Sequence, residues 1–266
     1  MQRRNFIKNI IATGGLASVL PGLSKWKDKE YTSNQRQYYE LKTYNLVDNR
    51  QLNLVNKYLE EFYIPALNNA GVSATGVYRV MDSLDQSSLI LLIPYQSLDH
   101  FNEVKTGLDA ELTAKLKSSR YLNTGADAPP FQRMESSLMA AFSGHPMLKN
   151  PKQNTKYSDR IYELRIYESY NEQKANKKVE MFNNGEIEIF DKTGLHTVFF
   201  GQTLIGDKLP NLTYMLHFEN MEERNKNWKA FIEHPEWKKM SKDPQYEDTV
   251  SNITQLFLKP MSYSQI

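Results

Sequence analysis

The sequence predicts an α+β protein built from two tandem domains, each with the element order β-α-β-β-α-β. Two observations support this prediction. First, the pattern Tyr-Glu-Leu-(Lys/Arg)-x-Tyr occurs at residues 39–44 and again at 162–167, which is 123 residues further along the chain. Second, the segments that follow the two copies match in kind and in order, so we interpret the chain as a duplication of one domain.

Length and composition fit two domains of ordinary size. The chain has 266 residues, of which 40% are hydrophobic and 24% charged, and this is the composition of a globular protein. Cysteine is absent, which excludes disulfides, thiolate metal sites and cysteine nucleophiles. The formal net charge is only +2. Because nucleic-acid binding needs a clustered basic face, we expect no nucleic-acid partner.

Residues 1–24 have the succession of charged, apolar and small residues that is typical of an export signal. The string Arg-Arg-Asn-Phe-Ile-Lys at 3–8 resembles signals of the twin-arginine pathway, which exports folded proteins. We therefore predict an exported, periplasmic or extracytoplasmic protein in which residues 25–36 are a linker. An uncleaved amphipathic helix is the alternative. No other segment is long and apolar enough to span a membrane, so no stable span is expected in the mature chain.

The first domain is predicted over residues 37–142. Asp48 or Asn49 can cap a helix whose apolar residues recur at three- and four-residue spacing, and Gly71 is a natural stop for it. A second helix is predicted from Leu98. The predicted strands are residues 38–46, 72–80, 88–95 and 131–142.

The second domain is predicted over residues 159–262, after a linker at 143–158 that is rich in glycine, proline and polar residues. Helices are predicted from Asn171 and from Met221, and Pro235 is expected to kink the latter. The predicted strands are residues 160–168, 195–204, 212–220 and 252–259.

The order β-α-β-β-α-β is that of the ferredoxin-like split βαβ arrangement, an antiparallel sheet with two helices on one face. The other face of such a sheet is bare and has to be covered. Two such domains can cover each other sheet to sheet, which gives an α+β barrel with an interior.

Strand alternation groups two rows of polar residues that we take as candidate ligand-binding residues. Because Leu164 and Ile166 suit the helix-covered side, we expect both rows to face the barrel interior. One interpretation is an internal ion pair that fixes sheet packing. The other is a polar cavity in which the base holds a carboxylate or enolate of a small molecule and a tyrosine donates a hydrogen bond. The two rows are Glu40, Lys42 and Tyr44, and Glu163, Arg165 and Tyr167.

The histidines show no metal-ligand spacing, so we predict no metal site. His217 lies in mid-strand on the face opposite Leu216 and Phe218 and is expected to face the barrel. Whether it shares a face with His196 depends on the hairpin register. Glycine-rich nucleotide loops, Gly-x-Ser-x-Gly elbows and paired catalytic carboxylates are absent from the sequence.

The second domain resembles the NIPSNAP family. The residues that carry the resemblance are Tyr-Glu-Leu-Arg-Ile-Tyr at 162–167, the segment 209–218, Met-Glu-Glu-Arg at 221–224, Trp228, Phe231 and Pro-Glu-Trp-Lys at 235–238. The first domain resembles the same family more loosely and lacks the last of these strings. The resemblance implies a dimeric α+β barrel, a superfamily that includes small monooxygenases and haem-dependent barrels. It implies no settled reaction, because fold likeness alone is weak evidence for chemistry.

We therefore predict an exported NIPSNAP-like protein that binds a small organic ligand or a protein partner in or around the barrel, with no cofactor. The first alternative is a cofactor-independent oxygenase or isomerase, in which Arg165 holds an anion and Glu163, Tyr167 or His217 moves a proton. The second is a haem-binding barrel that uses His217. The bare sheets can pair within one chain or with a second chain, so a homo-oligomer stays open.

Overall fold

The computed structural model describes residues 36–81, 88–115, 119–151 and 159–266. The described residues belong to one compact unit, Asn34–Ile266. The predicted export signal at 1–24 lies outside the described residues, as does most of the predicted linker at 25–36, and both stay predictions. Within the described residues, no helix is long and apolar enough to cross a membrane.

The elements of the first half follow the predicted order. The strands are β1 (Tyr38–Asn45), β2 (Gly76–Val80), β3 (Ser88–Tyr95) and β4 (Arg133–Ala141). The helices are α1 (Asn49–Tyr58), which continues through a π-helical turn (Leu59–Tyr63) into α2 (Ile64–Asn69), and α3 (Leu98–Lys115).

The second half repeats this order. The strands are β5 (Ile161–Glu168), β6 (His196–Ile205), β7 (Asn211–Phe218) and β8 (Asn252–Pro260). The helices are α4 (Glu172–Met181), a π-helical turn (Phe182–Glu186), α5 (Ile187–Lys192), α6 (Met221–Glu233), α7 (Pro235–Met240) and a short 3₁₀ helix (Pro244–Tyr246).

The duplication is regular over long stretches of the chain. Strands β1 and β5, strands β3 and β7, the two π-helical turns and the first residues of α3 and α6 are each 123 residues apart. The helix caps are equivalent as well, because Asp48 accepts from the backbone N–H of Gln51 and Asn171 from that of Lys174. Gly71 and Gly194 both have the positive φ that glycine tolerates after a helix. The two halves therefore have the same local structure over these stretches, although β2 is shorter than β6.

The eight strands form one closed antiparallel barrel in the order β1-β3-β2-β8-β5-β7-β6-β4. Each half supplies a four-stranded sheet, and the sheets join through β2 with β8 and through β4 with β6. The predicted α+β barrel is confirmed, and it closes within a single chain. Since both halves share this barrel, the predicted domain limits at 37–142 and 159–262 mark sequence repeats and stay predictions as domain boundaries.

Strand β2 begins four residues later than predicted. The residue before it, Thr75, bonds instead to the C-terminal segment, where Gln265 donates its backbone N–H to the carbonyl of Thr75 at 2.9 Å and accepts from the Thr75 N–H at 2.9 Å. The chain end therefore packs beside β2, and Ile266 is buried with the barrel core.

The barrel interior is apolar and aromatic. Its buried cluster joins both halves through Tyr39, Tyr78, Tyr162, Phe199 and Met215. Two further apolar clusters lie between the sheets and the helices, one in each half. An eight-stranded barrel is just wide enough for side chains to fill it, so large rings occupy its middle.

Candidate functional site

The prediction that both polar rows face the barrel interior is wrong. The interior side of β1 and β5 carries Tyr39, Tyr162 and Leu164, whereas Glu40 and Glu163 contact residues of the covering helices. The reason is that the helices supply the opposite charges, whereas the middle of the barrel is filled with rings and aliphatic side chains.

Glu163 is fully buried and its carboxylate is saturated with donors. Burial alone would raise the pKa of Glu163, but hydrogen bonds from Arg224, Arg165 and Trp228 outweigh it and hold the pKa below its usual value. Such a carboxylate stays ionised and is unsuited to proton transfer. Its donors are Arg165 at 2.7 Å, Arg224 at 2.9 and 3.1 Å, Trp228 at 2.9 Å and Gln255 at 2.9 Å.

Glu40 forms the matching cluster in the first half. Burial would raise its pKa, but Lys42, Lys105 and a hydrogen bond from Ser136 lower it to about 2. The carboxylate accepts from Lys105 at 2.7 Å, Ser136 at 2.7 Å and Tyr95 at 2.8 Å, with Lys42 at 3.5 Å. The Lys42 ammonium also donates to the hydroxyl of Tyr63 at 3.0 Å.

The tyrosines that end the two rows are packed among other rings. Tyr167 shares a hydrogen bond of 2.8 Å with Tyr214 and accepts one of 3.2 Å from Arg165, and Tyr44 packs edge-on against Phe131. The rows thus form ion clusters that fix each sheet to its helices, which agrees with the packing interpretation. The ligand-binding role of Glu40, Lys42, Tyr44, Glu163, Arg165 and Tyr167 stays a prediction, and none of these residues lines the cavities described below.

A cavity of about 670 Å³ lies at the end of the barrel where β5 and β6 begin and β7 ends. We call it the histidine cavity, because His196 and His217 are directly opposite each other on β6 and β7 and their rings stack at 5.3 Å. The hairpin register therefore puts both histidines on one face. His217 also faces the barrel, as predicted, with its ring 6.3 Å from that of Tyr162.

Charged residues of both signs surround the two imidazoles. Arg160 and Lys149 bring positive charge, and Asp191, Glu219 and Glu223 bring negative charge. Arg160 is buried, with 2% of its surface exposed, whereas Lys149, Asp191 and Glu219 are exposed. A buried cation therefore lies in a cavity whose outer residues are mostly acidic.

His217 is neutral at neutral pH. Burial lowers its pKa most, and the neighbouring His196 and Arg160 lower it further, to about 4. Within the described residues, the imidazole nitrogens of His217 form no hydrogen bond. A neutral imidazole of this kind has one nitrogen that accepts a hydrogen bond and one that donates.

The first half has equivalent elements at four of these positions without the charges, whereas Ser73, the counterpart of His196, lies outside a strand. The residues 123 positions earlier than Arg160, Asp191, His217 and Glu219 are uncharged. His100 is the counterpart of Glu223 in the first half. Each side chain accepts a hydrogen bond from the backbone N–H of the residue four positions earlier, at 2.6 Å for Glu223 and 3.1 Å for His100. The four uncharged counterparts are Gln37, Asn68, Pro94 and Gln96.

Of the cavity residues, only His217 is a candidate predicted from the sequence. Arg160 and Asp191 were missed because one precedes a strand and the other ends a short helix, where no motif identifies them. A position-by-position comparison of the two repeats would have found both residues. Among the described residues, no group of three or more His, Asp and Glu side chains is placed to hold a metal ion.

Comparison with known proteins places the second half of the chain in a family context. Residues 162–265 match the NIPSNAP family model, so this half contains a NIPSNAP domain. A NIPSNAP-like domain protein from Burkholderia xenovorans is 24% identical, covering 40% of this chain and 90% of its own, with a TM-score of 0.36. None of the curated proteins matches the sequence.

Two solved structures resemble the chain over most of its length. A proposed monooxygenase from Fusobacterium nucleatum subsp. nucleatum is 10% identical, with a TM-score of 0.54 over 85% of this chain and 93% of its own. A proposed monooxygenase from Lactobacillus acidophilus is 9% identical, with a TM-score of 0.53 over 85% of this chain and 94% of its own. These likenesses show a shared fold, and at such identities they show nothing more.

Proposed function

We propose that this protein binds a small organic zwitterion, a molecule with one acidic and one basic group, in the histidine cavity. The observation that carries the proposal is that the second half has ionised groups at this cavity where the first half, with the same backbone, has uncharged residues. The fold of this region is therefore achieved without those charges.

The place of Arg160 in the lining of the histidine cavity supports a ligand role for the charges. Gln37 fills the equivalent position of the first half, where its side-chain oxygen accepts the backbone N–H of Leu148 at 2.7 Å. An arginine at this place in the second half adds a cation that packing does not require.

The distribution of charge indicates the class of ligand. Arg160 and Lys149 suit a carboxylate, while Asp191 and Glu219 suit an ammonium group, and the neutral His217 can accept a further hydrogen bond. The volume of about 670 Å³ is in the range of small-molecule sites. The NIPSNAP match includes Asp191, His217 and Glu219.

Thermal unfolding of the full chain tests this proposal. Free amino acids serve as zwitterion probes, and their N-acetylated and amidated forms, which each lack one charge, serve as matched probes. A bound zwitterion at a hundred times its Kd stabilises the folded state by about 2.7 kcal/mol. We expect free amino acids to raise the unfolding temperature by several degrees and the singly charged forms to raise it less.

Two substitutions copied from the first half locate the effect. Arg160→Gln and Asp191→Asn should each remove most of the stabilisation by ligand, whereas Lys226→Gln, which changes an exposed lysine of α6, should not. The proposal is wrong if no free amino acid stabilises the protein, or if both cavity variants respond like the unmodified chain.

A second candidate is an enzyme that acts on the bound molecule as a cofactor-independent oxygenase or isomerase, with His217 accepting a proton. The lowered pKa of His217, about 4, keeps this imidazole unprotonated at neutral pH, which favours His217 over the ion-paired Glu163 as the base. The proposed monooxygenases of similar fold also support measuring oxygen uptake. His217→Gln should abolish turnover while the ligand still stabilises the protein, and unchanged turnover would refute this role.

A further inference from the structure

A second cavity, of about 480 Å³, opens at the other end of the barrel. Strand β7 connects the two, because Asn211 at its start lines this cavity and His217 near its end lines the histidine cavity. All eight strands contribute residues to it. We call it the barrel-mouth cavity, and it lies above the aromatic side chains that fill the middle of the barrel.

The floor of the barrel-mouth cavity is apolar. It consists of aliphatic side chains from five strands, and both halves of the chain contribute to it. These residues are Leu41, Val80, Ile90, Ile166 and Leu256. Replacing water on an aliphatic floor of this kind with an apolar group is favourable.

The wall above the floor carries hydroxyl groups. In the described part of the chain, the hydroxyls of Thr43, Ser137 and Thr213 have no hydrogen-bond partner, and Thr213 is 2% exposed. These hydroxyls are therefore available to a molecule inside the cavity.

Other polar groups of the wall are already paired. Thr203 donates to Asn211 at 2.6 Å and Ser88 donates to Asn45 at 3.1 Å. These bonds hold the wall in a fixed arrangement, and the free hydroxyls on neighbouring strands are the groups that remain for recognition.

The charged groups at this cavity are confined to exposed positions. Glu135 accepts a hydrogen bond from Asn45 at 3.2 Å, and Lys208 donates one to Thr254 at 3.3 Å. Asp207 lies beside Lys208 in the exposed β6–β7 turn. The interior of the cavity itself is lined by hydroxyl, amide and aliphatic groups, in contrast to the buried cation of the histidine cavity.

We infer that the barrel-mouth cavity is a second binding site, for an uncharged organic molecule with an apolar body and a hydroxyl or carbonyl group. The apolar body would lie on the aliphatic floor, and the polar group would bond with Thr213, Thr43 or Ser137. This site is distinct from the zwitterion site and does not depend on it.

Ligand-observed NMR of the full chain with three uncharged alcohols, 2-naphthol, borneol and cyclohexanol, tests the inference. We expect at least one of them to bind with a Kd below about 1 mM. Naphthalene, which lacks the hydroxyl, and 2-naphthoate, which adds a charge, should bind at least tenfold more weakly than 2-naphthol. The inference fails if none of the alcohols binds, or if naphthalene or 2-naphthoate binds as well as 2-naphthol.

Two variants place the binding in this cavity. Thr213→Val keeps the shape of the side chain and removes its hydroxyl, so we expect a five- to tenfold loss of alcohol affinity, and Leu256→Trp fills the cavity and should abolish binding. Thr113→Val, on the exposed surface of α3, is the matched control and should have no effect. Arg160→Gln should also leave alcohol binding unchanged, which separates this site from the histidine cavity. Unchanged affinity in Leu256→Trp would overturn the assignment of the site.

Discussion

The carboxylate clusters of the two halves perform the same task with different side chains. Lys105 and Trp228 occupy the same position in α3 and α6, and both donate to the buried glutamate of their half. Ser136 and Gln255 are likewise equivalent, since each lies two residues before the strand partner of that glutamate. A feature that both copies keep despite changed partners is required by the fold.

The histidine cavity differs between the two halves, in contrast to the carboxylate clusters. The residues equivalent to Arg160, Asp191 and Glu219 in the other copy are uncharged, and that copy still forms the equivalent strands β1 and β3 and helix α2. The duplicated half therefore serves as an internal control within a single chain. What the halves share maintains the structure, and what only one half has is a candidate for function.

A third difference lies in the helix layer. Lys178 and Glu186 form a buried ion pair of 2.7 Å in the second half, where the repeat places Val55 and Tyr63 in the first. The Lys178 ammonium lies 4.6 Å from the centre of the Phe182 ring. The first half thus shows that this position tolerates apolar packing, so the ion pair is a property of the second half alone.

The largest expected loss of stability comes from replacing the two buried glutamates, Glu163 and Glu40. Glu163→Gln should destabilise the protein by about 3–5 kcal/mol, because it leaves two half-buried guanidinium groups, those of Arg165 and Arg224, without their carboxylate. Glu40→Gln should cost less, because Lys105 is 32% exposed and can turn to water. The free energy of unfolding in urea measures both. Equal losses, or a larger loss for Glu40→Gln, would contradict this account of the clusters.

The next effect is the pH dependence of stability that His217 causes. The first half has no such contribution at this position, because the counterpart of His217 is Pro94. The pKa of His217 falls from 6.5 in the unfolded chain to about 4 in the folded protein. The unprotonated form is favoured by folding, so this stability is fully present above pH 6.5 and is lost as the pH falls towards 4. The loss amounts to about 3 kcal/mol.

His217→Gln should therefore flatten the fall of stability between pH 6.5 and 4, as followed by urea unfolding at a series of pH values. His145 is buried too, and burial lowers its pKa to about 4, so part of the slope should remain until His145→Gln is added. A slope that does not change in His217→Gln would show that this imidazole titrates normally.

The smallest effect tests the equivalence of the two halves. Asp48→Ala and Asn171→Ala each remove a helix N-cap whose side chain accepts one backbone N–H. Each should cost about 1 kcal/mol in unfolding free energy. A difference of more than about 1 kcal/mol between them would mean that the first helices of the repeats are not stabilised alike.

The sequence was sufficient for the fold, because the repeat and the apolar periodicity are local signals. It predicted the order of elements in each half and an α+β barrel, and it placed His217 on the barrel side, while closure within one chain was left open. The side of the sheet that becomes the interior was predicted wrongly. Alternation separates Glu163 from Leu164 but does not say which face meets the helices. That depends on Arg224 and Trp228, whose approach from α6 is set by long-range packing.

Because the barrel closes within one chain, its stability does not depend on protein concentration. Were each sheet to hide its bare face against that of another molecule, the fold would weaken on dilution, because association is bimolecular. Here β2 meets β8 and β4 meets β6 inside the same polypeptide, so closure is an intramolecular event. The barrel can therefore stay folded at nanomolar protein concentration. Because its eight strands form a closed barrel, none of them has an open edge that could pair with a strand of another protein.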